Sequence, residues 1–210
     1  MKRYTITLFV VIAGIASCTI DKGTTPQQKQ NNPSTFLPKA IDDDWSRWIV
    51  GEWVGSGESD AGKGKGRVKI ELGLNGQYLM IKGEAEITEM SPEQVRYLKN
   101  NLHATDEEIR RFQSETFKSL EIYTADPKTG EVIGYLFDSL RCMAKGTGKR
   151  EGNKEIMNWV WTGSGKGATS VRITEKLSED RARITEKSTL PDGSIMEDKG
   201  EMTRVKKSSF

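Results

Sequence analysis

Few residues of this chain have the chemistry of a catalyst or a metal ligand. His103 is the one histidine among 210 residues. It is therefore the one side chain whose ordinary pKa lies near neutrality. Nucleophilic triads need a histidine to take a proton from Ser or Cys, and no G-x-S-x-G turn is present. His103 lies between two expected helices and reads as a turn residue near a helix C-terminus. Cys18 and Cys142 are the two cysteines. One histidine and two distant thiols give no zinc spacing, and no EF-hand pattern appears. Metal and cofactor are both expected to be none, and the chain is not expected to be an enzyme.

Three further clusters invite chemistry and have plainer readings. Glu84 and Glu86 alternate on one expected strand, so both point to one face. Paired carboxylates serve glycosidases, but these sit among Lys82 and Thr88, as on a solvated outer face. Gly163-Ser164-Gly165-Lys166-Gly167 lacks the phosphate-loop spacing and has no helix after it; it reads as a hairpin turn. Asp42-Asp43-Asp44 reads as a solvated turn and helix cap before Trp45 and Trp48, rather than as a metal site.

The aromatic residues are the more informative set. On the strand expected at 154–162, Met157, Trp159 and Trp161 share one face and Ile156 and Val160 the other. A strand apolar on both faces is expected to be covered on both sides, one side by barrel interior and the other by inserted helices. Trp53, Trp159 and Trp161 fit two roles: packed core, or the aromatic wall of an apolar ligand pocket. Arg172 alternates against Val171 and Ile173. If it faces inward, it is a buried cation that needs a carboxylate from the protein or a ligand.

These residues need elements to position them. Glycine is abundant at 21 and proline scarce at 6, which suits many strands joined by tight turns. The stretch 48–58, WIVGEWVGSGE, reads as a first strand with Trp53 plugging one end of a barrel. Residues 61–66 read as a glycine and lysine turn, and 67–74 as a second strand. Asn75-Gly76 is a hairpin signal, followed by a third strand at 77–88. The period then changes. Capping boxes at Ser91–Gln94 and Thr105–Glu108 open helices at 92–102 and 106–114, each with one apolar stripe. By position, this helical hairpin could cover the mouth of a barrel. Strands resume at 117–124, 131–138, 141–149, 154–162, 168–177, 181–190 and 194–206, with Asp126–Gly130 as a turn. The expected fold is all-β: a ten-stranded antiparallel up-and-down barrel over 45–207.

The N-terminus is a separate unit. Lys2 and Arg3 precede an apolar run at 6–12 and small residues, the outline of a secretory signal over 1–17. The run is too short to span a bilayer. Ile15-Ala16-Ser17-Cys18 resembles the bacterial lipobox, which implies lipid attachment at Cys18 and cleavage before it. Residues 18–44 are polar and lack periodicity, and read as a lipid-anchored flexible tether. Loss of Lys2 and Arg3 brings the 32 basic residues level with the 30 acidic ones. A neutral mature chain gives no support for nucleic-acid binding. With only Cys142 left beyond the anchor, no internal disulfide is expected.

Gly51-Glu52-Trp53 at the first strand, the helical turn before it and the strand series resemble the lipocalin and calycin barrels. That resemblance implies a basic residue of the last strand over the tryptophan ring, here Arg204. The ten strands, Gly51-x-Trp53-x-Gly55-x-Gly57, Leu74-x-Gly76-x-Tyr78-Leu79 and Trp161-Thr162-Gly163 are closer to the nitrobindin-like barrels and to a bacterial family of uncharacterised periplasmic barrels. Nitrobindin-like barrels can hold haem on a late-strand histidine. The strands at 181–190 and 194–206 contain none, so haem is not carried over. The resulting expectation is a lipoprotein of the bacterial envelope, facing the periplasm, with the outer membrane favoured because Thr19 rather than aspartate follows Cys18. Its barrel is expected to bind a small apolar or amphipathic ligand without catalysis. The alternative is a side-chain-filled barrel that serves as a protein-interaction module.

Overall fold

The computed structural model describes residues 40–126 and 128–206. The expected signal, Cys18, the tether up to residue 39 and Pro127 lie outside the described residues. The fold is the expected one. Ten strands, β1 (Gly51–Ser59), β2 (Gly62–Gly73), β3 (Tyr78–Met90), β4 (Thr116–Ala125), β5 (Glu131–Asp138), β6 (Cys142–Glu151), β7 (Lys154–Gly163), β8 (Thr169–Ser178), β9 (Arg181–Thr189) and β10 (Ile195–Arg204), follow one another around a closed barrel. Each pairs antiparallel with its sequence neighbours, and β1 closes the ring on β10 with Trp53 opposite Arg204. Closure leaves no sheet edge to be protected. Inward and outward residues alternate along every strand, so each strand has one face for the interior and one for solvent.

Helix α1 (Asp44–Ile49) closes one end. Asp43 caps it: a carboxylate oxygen accepts the Ser46 amide at 2.8 Å, while Arg150 from β6 reaches the same carboxylate at 2.8 Å. Burial opposes charge on Asp43, but the Ser46 amide and Arg150 outweigh it and hold its pKa low. Asp42 and Asp44 both pair with Arg47, so the acidic triplet works as cap and surface ion pairs. Ile41 is buried and its amide donates to Gly76 O at 2.7 Å. The chain is therefore docked on the barrel before residue 45.

Two expected boundaries move. Trp48 and Ile49 belong to α1, not to the first strand, and the strand begins at Gly51. Gly51 takes φ +141°, and a Cβ there would lie 2.6 Å from the Arg204 guanidinium; this junction accepts only glycine. Residues 62–66 are not a turn but the first half of β2. Their glycines alternate with Lys63 and Lys65, which pair outward with Glu89 at 2.6 Å and Glu86 at 3.1 Å. A period of two was present, but glycine in the inward positions concealed it.

The interior holds two apolar clusters. At the α1 end, Trp45, Trp48, Trp53, Ile70, Leu79, Tyr123, Leu136, Trp159 and Trp161 pack together. At the other end, α2 (Pro92–Leu102) and α3 (Asp106–Ser114) form the inserted hairpin. Leu98 and Ile109 join Ala61, Ile87, Met90 and Phe117 there, and the Phe112 and Phe117 rings meet edge-on at 5.2 Å. The hairpin thus covers the barrel end opposite α1. It does not cover the outer face of β7, where Val160 is 39% exposed. Val160 belongs instead to a group of exposed apolar residues on the outer face of β5 to β8.

Candidate functional site

Trp53 is fully buried beside α1, with its indole N–H donating to Ile49 O at 2.8 Å. The Arg204 guanidinium lies 4.2 Å from its ring centroid. Arg204 also donates to Val50 O at 2.7 Å, Glu179 O at 3.2 Å and Trp48 O. One cation therefore covers the tryptophan face and satisfies carbonyls at the end of α1, which helix ends otherwise leave unpaired. Trp159 and Trp161 are buried in the same cluster, and Trp161 donates to Ser170 Oγ at 3.2 Å. Trp53, Trp159, Trp161 and Arg204 thus close and fill one end of the barrel. A cavity farther along the barrel is lined by other residues.

That cavity, of about 180 Å³, lies between the two clusters. Phe117 bounds it from the hairpin side, and Val68 and Met202 from the α1 side. Its wall is built from absent side chains. Gly55 and Gly57 of β1, Gly64 and Gly66 of β2, Gly83 of β3 and Gly200 of β10 occupy inward positions, with Ala85 and Ser119 beside them. Gly55 pairs with Gly66, and Gly57 with both Gly64 and Gly200. A Cβ at Gly55 would meet Glu201 O at 2.4 Å, so the glycines also let adjacent strands coil tightly. Gly55, Gly57, Gly83 and Ala85 point inward yet are only half-buried, so solvent reaches the cavity.

The opposite wall is polar, and Arg172 is its centre. Arg172 does face inward. Its Nε donates to Glu186 Oε2 at 2.9 Å and its Nη1 to Glu121 Oε2 at 2.8 Å. Glu186 is its direct partner across β8 and β9, whereas Glu121 projects from β4, four strands away around the ring. The pair of bridges is therefore a strut across the lumen. Tyr123 donates its hydroxyl to Glu121 Oε2, and the Arg172 guanidinium lies 5.3 Å from the Trp159 centroid. Burial opposes the Arg172 charge, but Glu121 and Glu186 outweigh it and raise its pKa well above the usual value. Burial, with Glu121 adding to it, pushes the Tyr123 phenol up, so it remains a donor.

Asp198 continues this row. It lies on β10, opposite Glu186 of β9 and Ser59 of β1. Burial, and then the Glu186 charge, push its carboxyl up to about 7. The consequence for stability has a definite sign. A carboxyl whose folded pKa is raised from 3.8 to about 7 stabilises the fold fully below its unfolded value. That contribution is lost as pH rises through about 7. Wild-type protein should therefore lose stability relative to Asp198→Asn between about pH 4 and about pH 7, by at most about 4 kcal/mol for a shift of this size. Urea titrations of both proteins across that range measure it, and parallel curves would contradict the assignment.

The other chemistry-bearing residues lie elsewhere. His103 is exposed and ends α2 in the left-handed region at φ 55°. Glu84 and Glu86 point outward and pair with Lys118 at 3.6 Å and Lys65 at 3.1 Å. Cys142 is fully buried, and burial, then Asp138, push its thiol up to about 12, so it is a poor nucleophile. Gly163–Gly167 is the β7–β8 turn. Among the described residues no group of three potential metal ligands comes together.

The fold is a closed ten-stranded antiparallel up-and-down barrel with a cavity in its interior. Solved structures with a similar barrel include an S-type phycobiliprotein lyase from Guillardia theta, 11% identical, covering 78% of this chain and 92% of that one, with a TM-score of 0.49. A redesigned β-barrel, mFAP1, bound to DFHBI, is 10% identical over 76% of this chain and 97% of its own, with a TM-score of 0.34. A DUF3598-family protein of unknown function from Nostoc punctiforme is 8% identical, with 79% and 100% coverage and a TM-score of 0.17. No family model matches the chain, and no curated protein matches its sequence.

Proposed function

We propose that this chain is a lipid-anchored envelope protein whose barrel binds a small amphipathic molecule without transforming it. The observation that carries the binding reading is the solvent-connected, glycine-walled cavity above the Glu121–Arg172–Glu186 strut. The glycine Cα–H groups with Phe117, Val68, Met202 and Ile184 offer apolar contact, and Arg172, Glu121, Glu186 and Asp198 offer polar contact. Small-molecule sites combine these two features. The reading without catalysis rests on the pairing of Glu121 and Glu186 with Arg172 and on His103 and Cys142, which do not line the cavity. The anchor rests on the lipobox resemblance ending at Cys18 and on the polar stretch after it. The periplasmic face, and the outer membrane in preference to the inner, rest on the same residues and on Thr19.

Two experiments test these parts separately. Native mass spectrometry of protein purified from its own membrane should show a small-molecule adduct. If no adduct appears and tryptophan fluorescence ignores a lipid panel, the binding reading fails. Cys18→Ser should release the protein into soluble fractions; a variant that stays membrane-bound at unchanged mass refutes the anchor.

One observation favours a second reading, an interaction module. Ile133, Tyr135 and Phe137 of β5, Met143 of β6, Val160 of β7 and Val171 of β8 are exposed on neighbouring outer positions. Exposed apolar residues grouped in this way, here interspersed with Lys145 and Asn158, can mark a docking face. Substitution of Tyr135 and Phe137 by Ser separates the two: a binding barrel retains its adduct, while an interaction module loses its partner.

A further inference from the structure

Two oxygen atoms in the cavity wall have no partner. Glu186 Oε1 is buried and accepts no hydrogen bond, although Oε2 of the same carboxylate is held by Arg172. The Glu186 side chain is 3% exposed. Asp198 Oδ1, on the cross-strand neighbour, is also buried without a donor, while the Ser59 hydroxyl serves its carboxyl. Both residues line the cavity. A buried acceptor left unpaired costs free energy, and more so when charged. Structures keep such groups where something else supplies the donor.

The charge around these atoms is unbalanced in one direction. Inside the cavity the ionisable side chains are Glu121 and Glu186, with Asp198 only partly ionised near neutral pH, against the single cation Arg172. Lys65, Glu84, Lys199 and Glu201 border the cavity through their backbone, but their side chains point outward into pairs with Glu86, Lys118, Glu197 and Arg181. They do not neutralise the interior. Arg172 is committed to Glu121 and Glu186, and its approach to Glu186 uses the oxygen opposite to the free one. The lumen therefore holds an excess of negative charge with its free acceptors on the β9–β10 side. An anionic ligand would meet that charge directly. A neutral apolar ligand would leave both oxygens unpaired and cut off from water.

We propose that the barrel binds a small cationic amphiphile, an alkyl or arylalkyl amine, whose ammonium group donates to Glu186 Oε1 and Asp198 Oδ1 while its apolar part lies against the glycine wall. An ammonium carries three donors and no acceptor, which matches two free carboxylate oxygens. The size fits as well. An engineered cavity of about 150 Å³ holds benzene, so one of about 180 Å³ takes a single ring or a short chain with a polar end. This inference rests on the binding reading above and specifies the ligand class of the same cavity.

The test uses the full chain and three probes of matched shape: phenethylamine, the neutral propylbenzene and the anionic 3-phenylpropionate, titrated by calorimetry at neutral pH. Phenethylamine should bind at least about tenfold more tightly than either of the others, the ratio expected when one buried charge-assisted hydrogen bond is made. Glu186→Gln should lower amine affinity about tenfold or more and leave propylbenzene affinity unchanged. Asp198→Asn, which leaves the strut intact, applies the same test if Glu186→Gln does not fold. Ala85→Leu, which fills the cavity, should abolish binding of every probe. Equal affinity for amine and propylbenzene overturns the cationic assignment while leaving the binding reading in place. Preference for the anion overturns it likewise. Binding of none of the three overturns both.

Discussion

Arg172→Met should cost about 3–5 kcal/mol of folding stability, a large share of the roughly 5–15 kcal/mol typical of a domain. The reason is not the loss of two attractive bridges. The Arg172 side chain is 11% exposed, and its partners Glu121 and Glu186 are 11% and 3% exposed. Removing the guanidinium leaves two carboxylates inside the barrel with no cation between them. Each must then be protonated or draw in water. Removal of all three charges should have the opposite outcome. Arg172→Met combined with Glu121→Gln and Glu186→Gln removes all three charges together, and should recover most of the loss. Urea denaturation of the single and triple variants checks it. If the triple variant is as unstable as the sum of its single substitutions, the three side chains do not act as one unit.

Trp53→Ala should cost about 3–5 kcal/mol, the usual range for emptying a buried aromatic site. Trp53 is wholly inaccessible and touches Trp48 edge-on, with ring centroids 5.4 Å apart. Trp48 in turn meets Trp45 at 4.9 Å and anchors α1 by donating to Ser178 O and Glu179 O. Loss of Trp53 should therefore loosen α1 as well as open a void, and amide exchange in Asp44–Ile49 should accelerate in any variant that still folds. Arg204→Met should cost less, about 1–3 kcal/mol, because it removes one cation–π contact and several hydrogen bonds but leaves the rings packed. The two substitutions should be less than additive, since each disrupts the same closed end. Additive losses would show that Arg204 and Trp53 contribute independently.

The barrel was readable because its signals are local. Period-two alternation and turns such as Asn75-Gly76 and Asp126–Gly130 mark strands one at a time, and a run of short antiparallel strands has few ways to close. The inserted hairpin was readable for the same reason: Ser91 and Thr105 cap helices where the period changes, and both side chains accept amide hydrogens as expected. The cavity was not readable in this way. Part of its wall, Gly64 and Gly66, lies in the stretch Gly62-Lys63-Gly64-Lys65-Gly66, which looks like a turn because glycine is permissive and lysine is polar. The clue was the alternation itself, with every lysine outward and every inward position empty. The strut was hidden for a different reason. Arg172 and Glu121 are separated by 51 residues and meet only because the ring brings β4 across from β8. No spacing rule connects them. The tryptophans drew attention to the closed end, whereas the cavity is built from the smallest residues of the chain.

The most direct test of the central claim is native mass spectrometry of the full chain purified from its own membrane, run beside Ala85→Leu purified in the same way. The cavity account predicts a small-molecule adduct on the wild-type protein that is absent from Ala85→Leu, with both proteins folded by circular dichroism. An adduct that persists in the filled variant, or none on the wild type, would contradict it.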